Sequence, residues 1–114
     1  MVSMDFRQRT FANDVADRFR FLTESGFVAM PADAPSDLNR RPLSLRVIYV
    51  SPMSRVEVSL DMAFAGEDVV STHLEAVSGR WEFGPNPGRK GHEMRKALAV
   101  QAEQLATVLQ QIET

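Results

Sequence analysis

The stretch LSLRVIYVSPMSRVEVSLDMA, residues 43–63, constrains the fold more tightly than any other part of the chain. Its second half alternates without a break. Val56, Val58, Leu60 and Met62 fall on one parity; Glu57, Ser59 and Asp61 fall on the other. A period of two is the signature of a strand with one buried and one wet face. The first half, residues 43–51, is dense in branched and aromatic side chains and reads as a second strand. SPMS between them is short enough to close an antiparallel hairpin. Such a hairpin has one apolar face to hide, and further strands and packed helices must hide it.

The rest of the chain supplies both. Residues 5–25 read as an amphipathic helix, because Phe11, Val15, Phe19 and Leu22 recur at helical spacing, with Phe21 widening the stripe and Asp5 placed to cap the start. Gly26 stands where a helix ends in a left-handed residue, and Phe27 can fold back on the last turn. FVAM, residues 27–30, is a short strand, and PADAPSDLNRRP, residues 31–42, is a long loop by composition. After a turn at AGED, VVSTHLEAV at 69–77 forms a third main strand with Val70, Thr72, Leu74 and Ala76 on one face. GRWEF at 79–83 is a last short strand or the first limb of a loop. Residues 91–112 carry Met94, Leu98, Ala102, Leu105, Leu109 and Ile112 at spacings of 4, 4, 3, 4 and 3, the stripe of a closing helix. The expected fold is one α+β domain over residues 1–114: helix, antiparallel meander of three to five strands, helix, with both helices on one face of the sheet. Leu45, Val47 and Tyr49 suit that covered face, which turns Ile48 and Val50 outward. They are either shielded by long side chains and the 31–42 loop, or form an apolar patch for a dimer or a partner.

Composition narrows the chemistry. With no cysteine there are no disulfides, thiolate nucleophiles or cysteine-based zinc sites, which suits a reducing compartment. The opening MVSMDFRQRTF has no apolar run of signal-peptide length, and no stretch approaches the ~20 apolar residues of a membrane span. A cytoplasmic protein away from membranes is expected. The net charge of −2 argues against bulk nucleic-acid binding, and no nucleic-acid-binding motif is present. The charge is unevenly distributed. Residues 55–79 set Arg55 against Glu57, Asp61, Glu67, Asp68 and Glu75, while residues 80–96 set Arg80, Arg89, Lys90, Arg95 and Lys96 against Glu82 and Glu93. The two blocks either pair with each other or present separate surfaces.

No catalytic or cofactor motif emerges. HEMRK at 92–96 opens like H-E-x-x-H but ends in lysine, so the second metal ligand is missing. GPNPGRKG fails the P-loop spacing, and Pro85 and Pro87 limit how its amides could wrap a phosphate. His73, Glu75 and Ser71 share a strand face, which a solvated histidine and carboxylate explain better than a base and nucleophile do. Arg89, Lys90, Arg95 and Lys96 crowd the start of the last helix, the end that the helix dipole makes unfavourable for cations. Either they pair with the acidic block while Trp81 joins the core, or they form a recognition surface with Arg80 and Trp81.

FRFLTESGF leading into LRVIYVSPMSRVEVSLDM, with a helix closing the chain, resembles the small cytosolic immunity proteins of bacterial toxin systems. The resemblance spans most of residues 6–77 in pattern and rests on FL-x-x-x-GF followed by Y-x-S-x-x-x-x-V-x-V; GRWEFGPNPGRKGHEM departs from it. It implies a non-enzymatic protein that binds a toxin or effector domain and blocks its active site, without cofactor or metal. The partner-binding residues are then expected on an acidic face (Glu57, Asp61, Glu67, Asp68, Glu75) or a basic loop (Arg80, Trp81, Arg89, Lys90). A related architecture in small secretion chaperones implies the alternative: a chaperone or dimeric scaffold that uses the Ile48 and Val50 side. An enzyme built around His73 or His92 is the third reading.

Overall fold

The computed structural model describes residues 4–30, 43–62 and 68–112, with side chains from Arg9 and Ser44 onward in the first two segments. The order runs α1 (Met4–Arg18), α2 (Arg20–Glu24), β1 (Val28–Met30), β2 (Leu43–Val50), β3 (Ser54–Met62), β4 (Val69–Ala76), β5 (Gly79–Pro87) and α3 (Gly91–Ile112). All five strands form one antiparallel meander in chain order. The expected 31–42 loop and most of the AGED turn lie outside the described residues.

Two helical expectations need correction. The single helix over 5–25 is two segments, broken at Phe19 with φ −107° and ψ 19°. There the Leu22 amide reaches back three residues to the Phe19 carbonyl at 3.0 Å, tighter than an α turn. Phe19 and Leu22 are both wholly buried, and the Phe19 ring stacks on Tyr49 of β2 with centroids 6.4 Å apart. Asp5 lies inside the first turn of α1 rather than ahead of it. The exit matches expectation. The Phe27 amide donates to the Leu22 carbonyl at 2.9 Å and that of Gly26 to Thr23 at 3.3 Å, the paired bonds of a Schellman stop. Gly26 has φ +100°, a conformation that only a residue without Cβ adopts cheaply.

Both helical regions cover the same side of the sheet. α1 touches β2 and α3, and α3 touches β4 and β5. Beneath them lie Leu45, Val47 and Tyr49 of β2, Val56, Val58, Leu60 and Met62 of β3, and Val70, Thr72 and Leu74 of β4, all buried. From α3 come Met94, Leu98, Ala102, Leu105 and Leu109. A fully buried leucine contributes about 1.5–3 kcal/mol, so this stripe holds the helix in place.

The loop expected from Gly84 is instead the second half of β5, and it carries an irregularity. Thr72 faces Phe83 while Val70 faces Asn86, so β5 advances three residues where β4 advances two. The extra residue falls at Gly84 and Pro85, whose peptide is cis. Gly84 has φ +89°, and a Cβ there would stand 2.6 Å from Gln101 Nε2 and 2.8 Å from the Val70 carbonyl oxygen. A bulge reverses side-chain parity, which turns Asn86 inward. The inward space is filled by Gln101 of α3, fully buried. Its Nε2 donates to the Val70 carbonyl at 2.7 Å and to Asn86 Oδ1 at 2.8 Å, and its Oε1 accepts from the Thr72 hydroxyl at 2.7 Å. The bulge and this amide together set how α3 sits on the sheet.

Candidate docking face

The pleat that buries one parity presents the other on the opposite side. The registers of the four strand pairs order this open face into rows that cross the sheet. One row runs Met30, Ile48, Glu57, His73 and Glu82; the next runs Val28, Val50, Arg55, Glu75 and Arg80. At the β1–β2 end the rows are apolar, with Val28 64 %, Met30 47 % and Val50 36 % exposed and Ile48 half-buried. Toward β5 they are charged, and Arg55, His73, Glu75, Arg80 and Glu82 are exposed. A shallow concavity of about 380 Å³ lies over the charged end, lined among others by Arg55, Glu57, His73, Glu75, Arg80 and Glu82. Farther along the strands the face recedes: Ser59 and Ser71 are buried and face each other, and Ser44 and Asp61 are half-buried. Outward Ile48 and Val50 therefore belong to an apolar strip that continues into β1.

The expected acidic face is of mixed charge. Among the described residues it carries Arg46, Arg55 and Arg80 beside Glu57, Asp61, Glu75 and Glu82. Counting charge along the chain groups Arg46 and Arg80 with other segments, whereas strand pairing sets them among the acids. Arg46 lies 3.4 Å from Glu57, and Arg80 lies 3.8 Å from Glu75. Both pairs are solvent-exposed enough to contribute at most about 1 kcal/mol each. Glu57, Asp61, Glu75 and Arg80 share the face, although Asp61 stands about 20 Å along the strands from the row of Glu75. Glu67 lies outside the described residues. Asp68 precedes β4, and its carbonyl accepts the Gly88 amide at 2.9 Å.

Trp81 is a second correction. It pairs with Leu74 on the covered side and packs against the core, so Arg80 and Trp81 point to opposite faces and cannot form one anchor. Arg89, Lys90, Arg95 and Lys96 are exposed around the start of α3, and none makes an ion pair among the described residues. Among the described residues no ion pair joins them to the acidic block. Glu93 offsets them locally, accepting the Lys90 amide at 3.2 Å as half of a capping box.

His73 sits between Glu57 and Glu82 across the strands. Ser71 and Glu75 flank it along β4, with Cα atoms about 7 Å away. What the arrangement offers is a broad, shallow surface of alternating charge with an apolar border. Sequence reasoning sets His73 beside Glu75 on the wet face but leaves Arg46, Arg55 and Glu82 out of the candidate set, although strand parity alone assigns them to it. Among the described residues no helix is long and apolar enough to cross a membrane. Comparisons with protein families, curated proteins and solved structures find no match to this chain.

Proposed function

We propose that the chain is a non-enzymatic, cytoplasmic protein-binding module that docks a protein partner on the open face of its sheet, as an immunity-type inhibitor engages a toxin domain. The observation that carries this reading is the face itself. One side of the sheet is left uncovered by the helices, and it joins exposed valine and methionine to ordered rows of charge. Apolar contact supplies affinity at such a surface, and fixed charges select the partner and speed its approach. The alternation of charge fits a partner with its own mixed pattern better than the uniformly basic cleft of a nucleic-acid-binding toxin.

A charge exchange tests the reading without disturbing the fold. Arg55 and Glu75 are directly opposed, so Arg55→Glu with Glu75→Lys keeps an intramolecular pair while inverting what the face presents. Immobilised wild type, this variant and an Arg95→Glu/Lys96→Glu variant are used to capture proteins from the native host. A partner held by the wild type and the helix variant but lost by the face variant supports the reading. A partner lost only by the helix variant overturns it in favour of the basic surface.

A further inference from the structure

We infer that the open face is self-complementary and that its occupant in the absence of other partners is a second copy of this chain, docked face to face about a two-fold axis parallel to the rows. The inference rests on the docking reading above and names a partner for that face. Two adjacent rows carry opposite charge patterns. Arg55, Glu75 and Arg80 of one row lie two residues along β3, β4 and β5 from Glu57, His73 and Glu82 of the other. A two-fold axis midway between the rows lays each row of one copy on the neighbouring row of its mate. Arg55 then meets Glu57, Arg80 meets Glu82, and Glu75 meets His73. At the apolar end, Val50 meets Ile48 and Val28 meets Met30 by the same operation. Every such contact occurs twice, as in any isologous interface. The operation keeps strands aligned across the interface, and both sheets twist with the same hand, so the match extends over several strands in the manner of stacked sheets. Arg55, Glu75, Arg80 and Glu82 are exposed and Glu57 is half-buried, and the pairings within a chain are the long contacts at 3.4 and 3.8 Å already described, which leaves these side chains able to turn outward.

The test is sedimentation velocity on the full chain as a function of concentration. Wild type dimerises reversibly, and raising the salt from about 0.1 to 1 M weakens the dimer because charge pairs are screened. Arg55→Glu weakens it by at least about tenfold, since two attractive contacts become two repulsive ones. Adding Glu57→Arg to Arg55→Glu restores the dimer, because the exchanged charges still face each other across the axis, whereas binding of a foreign partner is not restored. Circular dichroism confirms the fold of each variant. A chain that stays monomeric up to about 0.5 mM, well above the range of specific association, overturns the inference; so does a dimer indifferent to Arg55→Glu or not rescued by the exchange. If the chain is monomeric yet loses a captured partner on charge inversion of the face, the self-pairing fails and the docking reading stands. If neither self-association nor capture responds to the face variants, both fall.

Discussion

Replacing Gln101 by leucine removes the polar pin between α3 and the bulged edge of the sheet and leaves an apolar side chain of similar size in its place. Gln101 is wholly buried, and its amide orientation is fixed by its neighbours: the Val70 carbonyl can only accept, so nitrogen must face it. In the variant the Val70 carbonyl loses its side-chain donor in the interior, which costs about 2 kcal/mol. Thr72 and Asn86 lose a partner each, at about 1 kcal/mol apiece, since a hydroxyl can turn and the half-exposed Asn86 can take water. The extra apolar burial of leucine returns about 1 kcal/mol. The expected net loss is therefore about 3 kcal/mol, a large share of the ~5–15 kcal/mol that holds a domain of this size folded. Urea denaturation reads it directly, with an unchanged slope and a midpoint lower by about 2 M. Adding Thr72→Val to Gln101→Leu should recover about 1 kcal/mol by deleting the stranded hydroxyl. A Gln101→Leu midpoint within about 0.3 M of wild type would show that the hydrogen bonds do not anchor α3.

Two glycines separate conformational strain from crowding. Gly26→Ala should cost about 1 kcal/mol, because φ is +100° but nothing lies within 4 Å of the new Cβ; Gly84→Ala adds a clash with Gln101 and the Val70 carbonyl and should cost at least about 2 kcal/mol more. Equal losses in thermal melts would refute the close approach at Gly84. At the start of α3, Glu93→Ala removes the acceptor for the Lys90 amide and should lower stability by about 0.5–1 kcal/mol, whereas Lys90→Ser completes the capping box and should raise it by a similar amount; chemical denaturation showing no change in either variant would dismiss the cap. Burial raises the Tyr49 phenol above the ordinary tyrosine value of about 10. The folded state therefore holds its proton where the unfolded chain has lost it, so this contribution to stability is complete below about pH 10 and is lost as the pH rises toward the raised folded value. Tyr49 is the only tyrosine, so absorbance titration of the phenolate isolates it, and a native midpoint no higher than that in urea would contradict the shift.

Repetitive patterns in the sequence carry over well into the structure. Val56, Val58, Leu60 and Met62 announce a strand and its buried face together, and Met94 through Leu109 announce a helix and its stripe. Gly26 marks the end of the first helical region because the requirement for positive φ is local. Features that depend on a neighbour are hidden. The break at Phe19 accompanies stacking on Tyr49, thirty residues away. Gln101 looks like one more polar helix residue until Val70, Thr72 and Asn86 surround it. Gly84 and Pro85 read as loop residues because composition cannot reveal a bulge within a paired strand.

The candidate site divides along the same line. Strand parity assigns Glu57 and Glu75 to the uncovered face and, applied to GRWEF, separates Arg80 from Trp81. The charge of that face is not legible in the sequence, because charge summed along a chain ignores which residues pairing places side by side. Arg46 and Arg80 come from strands on either side of β3 and β4, and only the register sets them against Glu57 and Glu75. What can be read from the residues alone is the order of the main elements and the buried side of β2, β3, β4 and the helices, since these follow from periods spanning a few residues. The tertiary structure alone decided the rows of charge, the bulge and the buried amide that orients α3, because each is a relation between segments whose separation along the chain bears no fixed relation to their separation in space.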